Sequence, residues 1–471
     1  MFLLLSASGA LCLIALYLRL TSLRGPNYPP GPRSLPVFGN LLDLDSANPW
    51  LTYCRWGKQF GDILSFKIFT RRIVVINSYS IAVDLLDKRS SIYSDRPNLM
   101  MLDLMGWGFS VAFMRYADSR RRKYRRSMHT GLGPPNAAAM QQTLLQRSDT
   151  LVRQLLDSSE GFQSHLVNYA AASIMHHTFG FTDWNKYKYL VHDVTLKAIN
   201  ALSESVFFGA QAVFAFPILQ MGSLGVVNHL PEWLPGAGFK RIAREQRALT
   251  SRLQEEPMEI VKKQMATGIH SSSWVSDLFE ERDSSPPGAL TEDNIKELAA
   301  NVFTGGFDTA NVIWHLINRV VGQQRLPDFG DREALPYLSA ICREALRWHP
   351  PIPLAGHCVS ETDEYMGYEI PAGTPVMANI WAMTRDASMF KDPDRFYPER
   401  FIKEDGSLDE SSSDFVWGFS RRTCPGRTFA ELTMWIAVAR ILAVYNIHKA
   451  IDSHGREIPV KEEYADRGLF V

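Results

Sequence analysis

Trp417–Arg427, the eleven residues WGFSRRTCPGR near the end of the chain, constrain its fold and chemistry most. A lone Cys424 stands there between a Gly/Ser/Arg-rich approach and a Pro425-Gly426 exit, and a long apolar helical pattern follows from Thr428. Arg421 and Arg422 are placed to lower the thiol pKa, because nearby positive charge and a helix N-terminus favour the thiolate. Gly418 and Gly426 allow close backbone approach and supply N–H groups for a sulfur. A thiolate with no second cysteine beside it suits one-point ligation of a large cofactor. It does not suit zinc, which takes three or four protein ligands. By itself the stretch is equally compatible with a small buried hydrophobe.

Upstream, a helix opens at about Glu292 and carries Gly305-Gly306-Phe307-Asp308-Thr309. Two adjacent glycines inside a helix cost about 1 kcal/mol each against Ala, so they imply a kink, a close ligand or a helix end. Asp308 and Thr309 beside them offer an acidic proton source and a hydroxyl relay. Glu344 and Arg347 lie one turn apart in a helix that ends at His349-Pro350-Pro351. Alone they read as an ordinary surface pair. Pro375-Val376-Met377 reads as a strand, and Pro398-Glu399-Arg400-Phe401 follows it. A basic run, Ser119 to Arg126, falls inside a helical pattern, while Ile63–Ile68 and Arg72–Ile76 read as strands of a small sheet.

In this order and spacing the segments resemble the motifs of the cytochrome P-450 family, over nearly the whole chain. The cysteine stretch is similar to the family's Phe-x-x-Gly-x-Arg-x-Cys-x-Gly loop. Arg422, Cys424 and Gly426 match, while Trp417 stands for Phe and Ser420 for Gly. The resemblance implies haem b (iron protoporphyrin IX) with Cys424 as axial iron ligand, a ligation that favours O–O cleavage. It assigns Trp417, Arg422 and Gly426 to the cofactor pocket, and Arg125 and His357 to the haem propionates. Arg121 stands where the family has Trp, and Cys358 where it has Arg. It puts Asp308 and Thr309 at the proton-delivery positions, with Ala310 in place of a frequent second Thr or Ser. It makes Glu344, Arg347 and Arg400 a buried charge triad, which is costly unless every charge is paired.

Phe2–Leu18 carries no charge and spans about 25 Å as a helix. No basic segment precedes it, as a signal peptide would require, and Arg19 and Arg24 follow it. The expectation is a retained single-pass anchor with its C-terminal side in the cytoplasm. Tyr28-Pro29-Pro30-Gly31-Pro32 is a stiff segment resembling the proline hinge of microsomal members, particularly the fungal microsomal type. Lys+Arg and Asp+Glu balance at 50 each, so nothing argues for nucleic acid. Five cysteines, odd in number and without CxxC spacing, argue against a disulfide framework. The apolar patch Val206 to Val227 is either core or a segment that dips into the membrane surface.

The expected fold is mainly α with a small β region, the cytochrome P-450 fold preceded by one N-terminal transmembrane helix. It divides into an anchor over 1–23, a hinge over 24–40 and a haem-binding domain over 41–471. The implied reaction is monooxygenation of a small apolar substrate with O2 in secondary or xenobiotic metabolism. No flavin or nicotinamide fingerprint occurs, so electrons come from a separate NADPH-cytochrome P-450 reductase, with cytochrome b5 as an optional second donor. The setting is the endoplasmic reticulum membrane, cytosolic face. Two departures stand against this. Only 36 positions separate Asp308 from Glu344, which predicts a shortened helix after Thr309 and a missing neighbouring helix. The chain also stops at Phe470-Val471, where relatives continue into a hairpin, so the pocket should be open on one side. An impaired product that binds haem poorly, and a reductase-independent haem-thiolate isomerase or dehydratase, are the competing readings.

Overall fold

The computed structural model describes residues 27–458 except 37, 46–47, 70, 159–160, 207–238, 285–289, 309–324, 410–412, 446, 448–451, 453 and 455. The expected anchor, the 207–227 part of the apolar patch, Thr309 and most of the short interval lie outside the described residues. Among the described residues no helix is long and apolar enough to cross a membrane.

The chain opens with α1 (Pro49–Phe60) and the hairpin β1 (Ile63–Ile68) and β2 (Arg71–Ile76). Long helices follow: α2 (Ser119–Leu132), α3 (Ala137–Asp157), α4 (Phe162–Phe179), α5 (Leu196–Val206), α6 (Phe239–Ala266), α7 (Trp274–Ser284) and α8 (Glu292–Asp308). After α9 (Pro336–Trp348) come β3 (Leu354–Cys358), the short pair β4 (Asp363–Tyr365) and β5 (Tyr368–Ile370), then β6 (Pro375–Asn379). The helix α10 (Arg427–Val444) closes the described core. Local chemistry sets these limits. Asp118 caps α2 by accepting from the Arg120 N–H at 2.9 Å, and proline occupies the first turn of α1 and α9, where no N–H is missed.

Strands of one four-stranded sheet run in the order β1-β2-β6-β3. The β2–β6 pairing is parallel, with Val75 against Met377, and joins the two ends of the described chain. The hinge does not swing free. Ser65 on β1 donates its N–H to Pro30 O at 2.8 Å and its hydroxyl to Pro29 O at 2.6 Å. Gly31 is required there, since a Cβ would overlap the Ser65 carbonyl.

Helices α3, α4, α8, α9 and α10 pack into one apolar core. Within α10, Trp435, Ile436, Val438 and Ala439 are all buried, so nearly every face of this helix is covered. Each large side chain buried this way is worth about 1.5–3 kcal/mol. Two smaller clusters sit on either side of the sheet. The result places the N-terminus of α10, and with it Cys424, between α2 and the core.

Candidate active site

The loop into α10 is built by short-range backbone bonds. Cys424 N–H donates to Trp417 O at 2.7 Å, Arg422 N–H to Phe419 O at 2.9 Å and Thr423 N–H to Ser420 O at 3.1 Å. Gly418 takes a φ of 88°, and Ser420, where the related pattern has Gly, takes a left-handed φ of 38°. A side chain in that region carries strain that glycine does not.

Cys424 is exposed, but onto an internal cavity rather than bulk water. Burial therefore pushes its thiol pKa up, against the lowering by the Gly426 and Arg427 N–H groups and by the charges of Arg125 and Arg427. This corrects the expectation that Arg421 and Arg422 activate the thiol. Arg421 turns to the Tyr116 hydroxyl, and Arg422 spends its guanidinium on the carbonyls of Ser94, Val111 and Met114.

The cavity encloses about 520 Å³ and is lined mostly by apolar side chains, among them Leu102, Val111, Phe113, Val302, Trp417 and Phe429. Gly426, Gly305 and Gly306 also face it. Helix α8 runs through both of its glycines to Asp308, so they mark neither a break nor a helix end. They serve different ends. A Cβ on Gly306 would strike Ile174 of α4 at 2.8 Å, whereas one on Gly305 would meet nothing within 4 Å. Gly306 lets two helices pack, and Gly305 keeps the cavity wall flat. The described part of α8 runs to Asp308, whose side chain lies outside the described structure, as does Thr309.

Arg71 of β2 lines the same cavity, and so do three arginines that crowd one another, Arg96, Arg125 and Arg422. Their acceptors are carbonyls: Arg96 donates to Ala112 O and Gly356 O, and Arg125 donates to Thr423 O at 2.9 Å. The carboxylate acting on Arg96 and Arg422, Asp95, is committed to Arg115 at 2.8 Å and to the Tyr116 N–H at 2.7 Å. Burial and the neighbouring guanidiniums push Arg422 down to about 9 and Arg96 down to about 10. Arg121, at the position of the expected Trp, stays out of the cavity lining; it stacks its guanidinium 4.0 Å from the Tyr116 ring centre and donates to Tyr116 O. A cavity with a thiol on one face, apolar walls and crowded cations short of anions fits a large apolar group that carries acidic arms.

His357 does not belong to that set. Leu354, Ala355 and Gly356 of β3 line the cavity, and His357, the next residue, does not. Its Nδ1 lies 2.9 Å from Tyr93 O, and burial beside Arg96 and Arg422 pushes its pKa down to about 3. Arg96 instead brings a cation to this strand, through Gly356 O. It sits in an unremarkable Ser-Asp-Arg-Pro segment with no spacing signal of its own, and sequence reasoning passed over it.

Glu344, Arg347 and Arg400 do come together. Glu344 and Arg347 are fully buried and bonded twice, at 2.7 and 2.8 Å, and Arg400 Nε reaches Glu344 at 3.1 Å. Tyr397 N–H gives Glu344 a further donor at 2.7 Å. Arg347 uses the remaining guanidinium on Thr384 O and Pro393 O, and Arg400 on Lys391 O and Arg395 O. The triad ties α9 to the segment that precedes the cysteine loop.

A mainly helical protein with a small mixed sheet and a lone thiol facing an arginine-edged apolar cavity defines a prosthetic-group protein of the thiolate-ligated kind. The profile of the Cytochrome P450 family matches residues 29–316 and 313–462. The two stretches meet, overlapping at 313–316, in the interval between Asp308 and Glu344. The chain is 36% identical to cytochrome P450 monooxygenase 98 of Postia placenta, over 94% of this chain and 88% of the relative. It is 33% identical to cytochrome P450 monooxygenase ppsD of Aspergillus oryzae, over 93% and 85%, and 33% identical to ple1 of Rhodocybe pseudopiperita, over 93% and 86%. The chain belongs to the cytochrome P450 family and is a cytochrome P450 monooxygenase, an oxidoreductase of haem chemistry.

Proposed function

We propose that this monooxygenase inserts one oxygen atom of O2 into a small, uncharged, apolar metabolite in secondary or xenobiotic metabolism. The single observation that carries the reading is the cavity itself, whose apolar walls enclose the Cys424 thiol and the arginine cluster together. Haem b, when bound, supplies oxygen activation. The chain's own residues do the rest. Cys424 would hold the haem iron, and the Gly426 and Arg427 N–H groups favour its thiolate. Arg96, Arg125 and Arg422 neutralise the acidic arms of the cofactor, and Trp417 and Gly426 shape its pocket. Leu102, Val302 and Phe113 exclude water from the substrate side. Asp308 and Thr309 carry protons inward from the end of α8.

Electrons come from a separate NADPH-cytochrome P-450 reductase, with cytochrome b5 as an optional donor. Arg122, Arg126 and Arg421 are exposed on the α2 and cysteine-loop side, which suits an acidic electron donor. Residues 1–23 anchor the chain in the endoplasmic reticulum membrane with the catalytic domain in the cytosol. The test is conversion of an apolar compound panel by membranes holding the full-length chain and a reductase. The expected product gains one oxygen atom from labelled O2, only with NADPH. Turnover without NADPH or O2 would instead support isomerase or dehydratase chemistry.

A further inference from the structure

Residues 108–114 form an irregular segment with turn bonds of its own, Ser110 N–H to Trp107 O and the Phe113 and Met114 N–H groups to Ser110 O, and its other backbone groups are held by side chains from elsewhere. Arg120 donates to Gly108 O at 3.1 Å, Arg96 to Ala112 O at 2.7 Å, and Arg422 to Val111 O at 3.3 Å and Met114 O at 2.8 Å. From α8, Asn301 provides the remaining clamp. Its Oδ1 accepts from Val111 N–H at 2.8 Å, and its Nδ2 donates to Phe109 O at 2.9 Å and to Glu297 O at 2.7 Å. The amide orientation is fixed by chemistry, because an N–H only donates and a carbonyl only accepts. Buried backbone groups must find partners, so the shape of this segment depends on those side chains.

Asn301 also lines the cavity, one helical turn before Gly305, and so do Ser110, Val111, Ala112 and Phe113. We propose that Asn301 is a specificity-determining positioning residue, which holds the 109–113 segment as a fixed wall and so decides which apolar molecules fit the cavity. The inference rests on the monooxygenase reading above and adds the residue that sets its substrate range. The Val111 backbone is the shared element. Its N–H is held from α8 by Asn301 and its carbonyl from the cysteine loop by Arg422, so the wall has one position with respect to both faces of the site. Glu297, one turn earlier on α8, reinforces the clamp by pairing with Arg120 at 3.0 Å and accepting the Tyr124 hydroxyl at 2.5 Å.

The experiment uses the full-length holoenzyme, two probes that ligate haem iron, imidazole and 4-phenylimidazole, and hydrogen exchange at the 109–113 amides. Asn301→Ala removes all three bonds, and Asn301→Asp keeps the acceptor for Val111 but loses both donors. In Asn301→Ala the ratio of the two dissociation constants should shift by about tenfold, since the phenyl ring reports the wall and the bare imidazole does not. Exchange at Val111 should speed up in parallel, with Asn301→Asp intermediate in both readouts and sufficient for the test if the alanine variant does not fold. A ratio within about twofold of the parent in the folded variants would overturn the proposal, whether or not exchange changes, and leave Asn301 a structural tie. Failure of the underlying reading looks different, because the parent protein would then bind neither probe if it holds no haem, or would turn substrate over without NADPH and O2 if it is an isomerase or dehydratase.

Discussion

Two buried charge clusters sit on either side of the cysteine loop, and they are built on opposite principles. Glu344, Arg347 and Arg400 satisfy one another and finish on backbone groups, so every charge has an internal partner. Arg96, Arg121, Arg125 and Arg422 crowd cations together, with Asp95 already taken by Arg115. The first cluster is complete within the chain and locks α9 to the loop before Cys424. The second is incomplete within the chain and is poised for an anionic partner. A buried ion network that closes on itself is structural, and one that does not points at a ligand.

Breaking the closed cluster should have the largest effect. Glu344→Gln leaves two buried guanidiniums without their carboxylate, at a cost of about 3–5 kcal/mol. The expected outcome is loss of most folded protein in urea melts, and a cost near zero would refute the closed-network account. In the open cluster the same kind of change should hardly touch the ligand-free fold. Arg125→Met relieves cation crowding, so ligand-free stability should move by less than about 1 kcal/mol while haem retention falls about tenfold. Equal losses in both quantities would erase the distinction.

His357 senses the field of the open cluster. Its folded pKa lies near 3, below the ordinary 6.5, so the folded state holds it neutral. That contribution is complete above pH 6.5 and is lost as pH falls toward 3, because the unfolded chain takes up the proton first. Ligand-free protein should lose stability across this window, and His357→Gln, which can still donate to Tyr93 O, should flatten that part of the profile. An unchanged acid limb would mean that the histidine is not held neutral. The smallest effect is expected at Ser420→Gly, which relieves the left-handed φ in the loop carrying Arg422. A gain of about 0.5–1 kcal/mol in thermal unfolding is expected, and a loss would show that the serine is unstrained.

Much of this was legible in the sequence. The cysteine loop, the Glu344/Arg347/Arg400 spacing, both strands of the first hairpin and the helices around Glu292 and after Thr428 are local patterns, and the chain folds them where the patterns lie. What was not legible depends on long-range placement. Nothing near Ser-Asp-Arg-Pro says that Arg96 will meet Gly356, because the long-range bridge between Asp95 and Cys358 decides it. The strand Leu-Ala-Gly-His-Cys carries little β-branched signal, so its place in the sheet, and the burial of His357 off the cavity, waited on the register with β6. Asn301 reads as one polar residue on a helix until the 108–114 segment is laid against it. The loss of activation by Arg421 and Arg422 has the same origin, since their guanidiniums are drawn off to Tyr116 and to the carbonyls of a segment about 310 residues away.

The central claim is that this chain, with its short interval after Asp308, assembles a haem-thiolate site at Cys424. Its most direct test is the absorbance spectrum of the membrane-expressed, reduced protein saturated with carbon monoxide, beside Cys424→Ala. The account predicts the strongly red-shifted Soret band of thiolate ligation in the parent protein and its disappearance in the variant. No haem band in the parent, or one characteristic of a neutral axial ligand, would contradict it.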